Sequence, residues 1–184
     1  VAWEVPWTRA WLAWALADAV PARRSAALRA GLELAPADGE VTQRLLELLA
    51  ATDAVAESDR LGAWFTRPPG AVPSYALEGY QAAILIGLVH TGAGRPASLP
   101  AILRHAPRES ARVLEAAAAA ARAHGCPLPP TDCVRLAPRE TKGGAPPEES
   151  ARAKDARHRC REGLMACAER LERRGVEATL EHQV

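Results

Sequence analysis

The residues with the most distinctive chemistry in this chain are its sulfurs and imidazoles. His124, Cys126 and Cys133 surround a proline-rich stretch, and His158, Cys160 and Cys167 follow further along. Thiolate and imidazole are the ligands zinc prefers, and a loop together with a helix can supply a tetrahedral set of four. The set that spacing suggests is His124, Cys126, Cys133 and Cys160. Other features oppose a metal. The chain has no Cys-x-x-Cys pair, and six residues intervene between Cys126 and Cys133. Cys160, Leu164, Cys167 and Leu171 recur at helical spacing, which reads both helical cysteines as small core residues. Four cysteines in 184 residues do not make a disulfide scaffold. The expectation is no cofactor, with zinc as the one candidate.

A second possible chemistry is cationic. Arg104, Arg108 and Arg112 recur every four residues, and Arg152, Lys154, Arg157, Arg159 and Arg161 crowd a later stretch, with Lys154, Arg157 and Arg161 on one helical face. Such stripes can meet phosphates. No aromatic residues are interleaved for base stacking, so contact would be to nucleic-acid backbone. The net charge of +1 demands no such partner, but its distribution is uneven: residues 1–99 sum to −2 and residues 100–174 to +5. Asp155 and Glu162 interrupt the later run, as on an ordinary solvated charged face.

The third feature is apolar. Trp3, Trp7, Trp11 and Trp14 are spaced four, four and three, which puts four of the five tryptophans on one side of one helix. A buried core stripe has this pattern, and so does a partner-docking face, since tryptophan is enriched at interface hot spots. Catalysis has no comparable signature. The chain lacks a glycine-rich phosphate loop, a nucleophile elbow and a His-Glu-x-x-His pair, and its acids are scattered. We expect a non-enzyme.

Helices must position these groups. Alanine and leucine dominate, while there is one Phe and there are two Tyr. That composition favours helix over strand, and no stretch alternates apolar and polar residues long enough to read as a strand pair. Proline and glycine divide the chain into segments. Helices are expected at about 7–20, 23–34, 40–52, 55–65, 74–90, 98–105, 107–124 and 150–174, with Ser74 and Ser98 as N-caps and Gly125 as a C-terminal stop. The stretch Gly79–Leu88 is apolar nearly all round and marks a central helix, with Tyr80 and His90 as core or rim groups. Residues 126–149 hold six prolines and read as an extended linker. The fold class is therefore all-α, a helical hairpin stack or bundle of about seven or eight helices. Its organisation is a helical core at 1–125, a Pro/Gly-rich linker at 126–149, and a C-terminal helix with a frayed tail at 150–184.

The longest strongly apolar run, Ala82–Val89, is too short to span a bilayer. Glu4, Arg9 and Asp18 interrupt the start of the chain, which does not read as a secretory leader. These features and the Ala/Arg/Pro/Gly bias suggest a cytoplasmic bacterial protein without a membrane partner.

Between Arg24 and Phe65 the chain resembles a tetratricopeptide-type repeat. Leu32-Glu33-Leu34-Ala35-Pro36-Ala37-Asp38 is similar to the end of one repeat, and Leu45, Leu49 and Ser58 fall where the next wants a leucine, a large residue and a small one. Arg24 and Gly62 depart from the alanine and the aromatic residue that the family prefers, and Thr8 and Thr42 replace its Trp-like residue. The resemblance implies stacked helical hairpins used for protein contacts, because one hairpin alone cannot bury its apolar face. In size, helicity and arginine content the chain also looks like the small helical subunits of CRISPR interference complexes, a likeness that carries no residues across.

Two functional expectations follow. The first is a scaffold or adaptor subunit of a larger assembly, with Trp3, Trp7, Trp11 and Trp14 meeting other protein subunits. The second is a helical subunit of a nucleoprotein complex, with Arg104, Arg108, Arg112, Arg152, Lys154, Arg157 and Arg161 on nucleic-acid backbone. A zinc-stabilised regulator is a third.

Overall fold

The computed structural model describes residues 15–16, 19–34, 40–53, 55–67, 74–90, 96–106, 110–128 and 147–181. Among these the chain is all-α, as the composition requires, with no strand. A 3-10 turn at Pro21–Arg23 leads into α1 (Arg24–Leu34). It is followed by α2 (Glu40–Asp53), α3 (Ser58–Thr66), α4 (Ser74–Val89), α5 (Leu99–His105), α6 (Ala111–Ala123) and α7 (Pro147–Glu181). For these seven helices the boundaries lie within a few residues of those that proline, glycine and capping residues suggest, while the helix expected at 7–20 lies mostly outside the described residues. The exception is the end of α7, which continues through Gly175 to Glu181. Glycine stops a helix when its backbone turns left-handed; elsewhere it costs about 1 kcal/mol against alanine.

The chain divides into two compact units, Val1–Ser98 and Leu99–Val184. The division falls after Ser98, not after residue 125 as the proline-rich stretch suggests. The C-terminal helix shares a unit with α5 and α6 and packs on both.

In the first unit α4 is the centre. It packs on α2 and α3, and α1 packs on α2. Tyr80, Gln81, Ala82, Ala83, Ile84, Leu85 and Leu88 are buried, as expected of a helix apolar nearly all round, while Ile86 is exposed. They meet a core of large side chains: Leu28, Leu32, Leu45, Leu46, Leu49, Leu61 and Phe65. Two glycines let α4 lie close to α2. A β-carbon at Gly79 would fall 2.6 Å from Gln43 Nε2, and one at Gly87 only 2.3 Å from the Glu47 carbonyl oxygen. The order of these contacts along both helices shows that α2 and α4 run in the same sense where they touch.

Two buried polar side chains of this unit, Ser58 and Gln81, find partners on other elements. The Ser58 hydroxyl donates to Ser98 Oγ at 3.0 Å and accepts from the Ser98 backbone N–H at 2.7 Å. One turn along α3, a β-carbon at Gly62 would lie 2.9 Å from Ser98 Cβ. That contact leaves no room for the aromatic residue a repeat-type hairpin prefers at this position. Gln81 Nε2 donates to the Phe65 carbonyl at 3.2 Å, satisfying one of the orphan acceptors at the end of α3.

Candidate functional site

In the second unit the chain turns sharply at the end of α6. Ser110 caps the start of that helix, its hydroxyl accepting from the Val113 N–H at 3.4 Å. At the other end Gly125 adopts φ +82°, the left-handed region that glycine enters freely. Its N–H donates to the Arg122 carbonyl at 3.0 Å, and the Cys126 N–H donates to the Ala121 carbonyl at 3.0 Å. This pair of bonds is a Schellman motif, with His124 as C-cap. It reverses the backbone and sets Cys126 beside α7.

Cys126 and Cys167 form a disulfide, with a Cα–Cα distance of 5.7 Å. Two residues later the buried Leu128 fills a notch at Gly163: a β-carbon there would lie 2.3 Å from Leu128 Cδ2. The chain leaving α6 therefore runs against the direction of α7, meeting position 167 first and 163 next. Cys160, one turn further along, is disulfide-bonded as well. On α7 the buried residues are Ala156, Cys160, Leu164, Cys167, Ala168 and Leu171, the helical stripe that the sequence spacing predicts.

This geometry corrects the zinc reading. Cys126 and Cys160 are disulfide-bonded, and no described cysteine is free, so neither offers a thiolate to a metal. His124 is buried as the C-cap of α6. Among the described residues no group of three His, Cys, Asp or Glu gathers as a metal site, and Cys133 lies outside them. The expectation that the cysteines are plain core residues is corrected too. They occupy core positions, but as cystines.

The cationic stripes are partly spent inside the molecule. Arg104 on α5 makes a two-pronged pair with Glu172 on α7. Arg159 pairs with Asp155 one turn earlier, and His158 Nε2 lies 3.2 Å from Glu162 Oε1. Arg112, Arg152 and Lys154 are exposed, Arg157 and Arg161 half-buried, and Arg108 lies outside the described residues. Trp3, Trp7, Trp11 and Trp14 lie outside them as well.

One constellation in the first unit has no simple sequence signal. Glu57, buried in the turn before α3, receives Arg29 Nε at 3.2 Å on one oxygen and Arg60 Nη1 at 3.1 Å on the other. The Arg60 guanidinium also sits 5.7 Å from the Trp64 ring centroid, within cation–π reach. With both carboxylate oxygens engaged, Glu57 works as a clamp between α1 and α3 rather than as an acid or base. Only the Arg60–Glu57 half, three residues apart, was accessible to spacing arguments.

No helix among the described residues is long and apolar enough to cross a membrane. Compared with known protein families, curated proteins and solved structures, the chain matches none.

Proposed function

We propose that this chain is a non-catalytic helical interaction subunit that docks another protein within a larger assembly. One observation carries the reading. Leu16 and Val20 lie one turn apart, the Val20 N–H donating to the Leu16 carbonyl at 3.0 Å, and are 47% and 37% exposed. The sequence spaces Trp3, Trp7, Trp11 and Trp14 on the other side of the same helical period. Apolar side chains left open to water favour a partner that covers them, and Leu16 and Val20 are open. A partner presenting an apolar helix face would cover them. The packing of α1 on α2 and the like direction of α2 and α4 support the reading of this unit as a tetratricopeptide-like hairpin stack. The nucleic-acid reading has less support, because Arg104 and Arg159 already hold carboxylates.

The test is native mass spectrometry of the full chain isolated gently from its host, beside a Leu16→Ser/Val20→Ser variant. A stoichiometric protein partner is expected with the parent chain. The variant should lose it by at least tenfold while keeping its helical circular-dichroism signal and melting midpoint. A parent chain that flies alone, or with nucleic acid only, overturns the reading. A variant that retains the partner removes this surface from it.

A further inference from the structure

All four cysteines of the chain lie in the second unit and none in the first. We infer that the second unit is a disulfide-locked fold and that the chain matures and works in a thiol-oxidising compartment, not in the reducing cytoplasm that composition alone suggests.

Three observations converge on this. The first is the core. Apart from the sulfurs, its most numerous buried residue is alanine: Ala106, Ala117, Ala118, Ala120, Ala121, Ala156 and Ala168. An alanine methyl removes little apolar surface from water, so beside the buried Leu99, Leu103, Leu114, Leu128, Leu164 and Leu171 these positions add little, and a cross-link adds stability by another route. The second is preorganisation. The Schellman turn at Gly125 delivers Cys126 to Cys167 through ordinary helix-capping bonds, and Leu128 fits the Gly163 notch beside it. The backbone is built around the cystine. The third is completeness: Cys160 is oxidised too, and no described thiol is left free. Disulfides persist in oxidising compartments, whereas cytosolic thiols are kept reduced.

The lock opens by thiol–disulfide exchange. A dithiol reductant attacks one sulfur as its thiolate, the Cys126–Cys167 bond breaks, and the resulting mixed disulfide is resolved by the reductant's second thiol. Two electrons and two protons pass to the protein, which gains two thiols, and the reductant leaves as its own disulfide. Once the bond is open, the seating of Leu128 against Gly163 is one contact that still holds the segment 126–128 on α7.

The test needs no variant. Cells of the native host are quenched with an alkylating agent, and the full chain is digested without reduction. The expected result is a cross-linked peptide pair joining Cys126 to Cys167, with no alkylated cysteine. Four alkylated cysteines, or Cys126 joined to another residue, would overturn the inference. In parallel, the melting midpoint of the purified chain is measured with and without dithiothreitol. Reduction should lower the transition of the second unit by roughly 15 °C or more, and an unchanged midpoint overturns the lock. A Cys126→Ser/Cys167→Ser variant, which keeps the disulfide of Cys160, should melt below the oxidised parent and no lower than the reduced parent. If it fails to accumulate, the reductant titration of the parent still decides.

Discussion

The two units solve one problem, how to hold short helices together, by different chemistry. The first relies on bulk. Leucines 28, 32, 45, 46, 49 and 61 with Phe65, Tyr80 and Ile84 fill its interior, and glycines admit close helix approach. The second contains fewer large side chains and many alanines, and it adds covalent bonds. Hydrophobic burial scales with area, so a small unit poor in large side chains has less to set against chain entropy. A cross-link acts on the other side of that balance, by restricting the unfolded chain. For a separation of 41 residues the chain-entropy relation gives about 4 kcal/mol. In the second unit buried alanines stand beside a cross-link whose contribution does not depend on buried area.

The comparison can be broken most directly by removing the staple. A Cys126→Ala/Cys167→Ala variant should lose about 4 kcal/mol in the second unit, read as lost hydrogen-exchange protection across residues 99–184 with the first unit unchanged. Equal loss in both units would mean that the contrast is false. A core truncation is the matching test in the first unit: Leu49→Ala should cost about 3 kcal/mol by urea denaturation and should leave the reductant sensitivity of the second unit as it was. Gly87→Ala sharpens the packing side. Its new methyl would meet the Glu47 carbonyl oxygen, and a loss of about 2 kcal/mol is expected despite alanine's better helix propensity. A stabilised variant would mean that α2 and α4 are not tightly apposed.

Two smaller changes probe polar detail. Ser58→Ala leaves the buried Ser98 N–H and hydroxyl without their partner and should cost about 1–2 kcal/mol. Arg104→Ala removes an ion pair whose members are both well exposed, so about 0.5 kcal/mol is expected, fading in high salt. A larger loss there would mean that the α5–α7 contact depends on charge and not on the apolar packing of Leu99, Ile102 and Leu103.

Helices were legible in the sequence because their signals are local. Gly125 acts within one turn of where it stands, and the apolar run 79–88 marks a central helix without reference to a partner. The cap at Ser110 was not among those signals, which opened that helix at 107. The cystine was not legible, because Cys126 and Cys167 are 41 residues apart and helical spacing already accounted for Cys167. Both descriptions hold: a stripe residue faces the core, and the core holds the second sulfur. The Arg104–Glu172 pair was hidden for the same reason, at a separation of 68 residues. Arg104 belonged to a regular stripe, and regularity along one helix says nothing about which carboxylate another helix brings to it. The division after Ser98 was missed because proline density at 126–149 resembles a linker. Its first residues, Cys126 and Leu128, are in fact buried against α7.

The bond between Cys126 and Cys167 also changes the topology of the molecule. It closes the backbone between those residues into a covalent ring. A single protease cut inside that ring would not release a fragment: the two pieces would migrate as one chain until a thiol reagent parted them. The stretch containing the proline-rich segment can thus be nicked without the protein losing mass, and a gel run with and without reductant after limited digestion would distinguish a nicked molecule from an intact one.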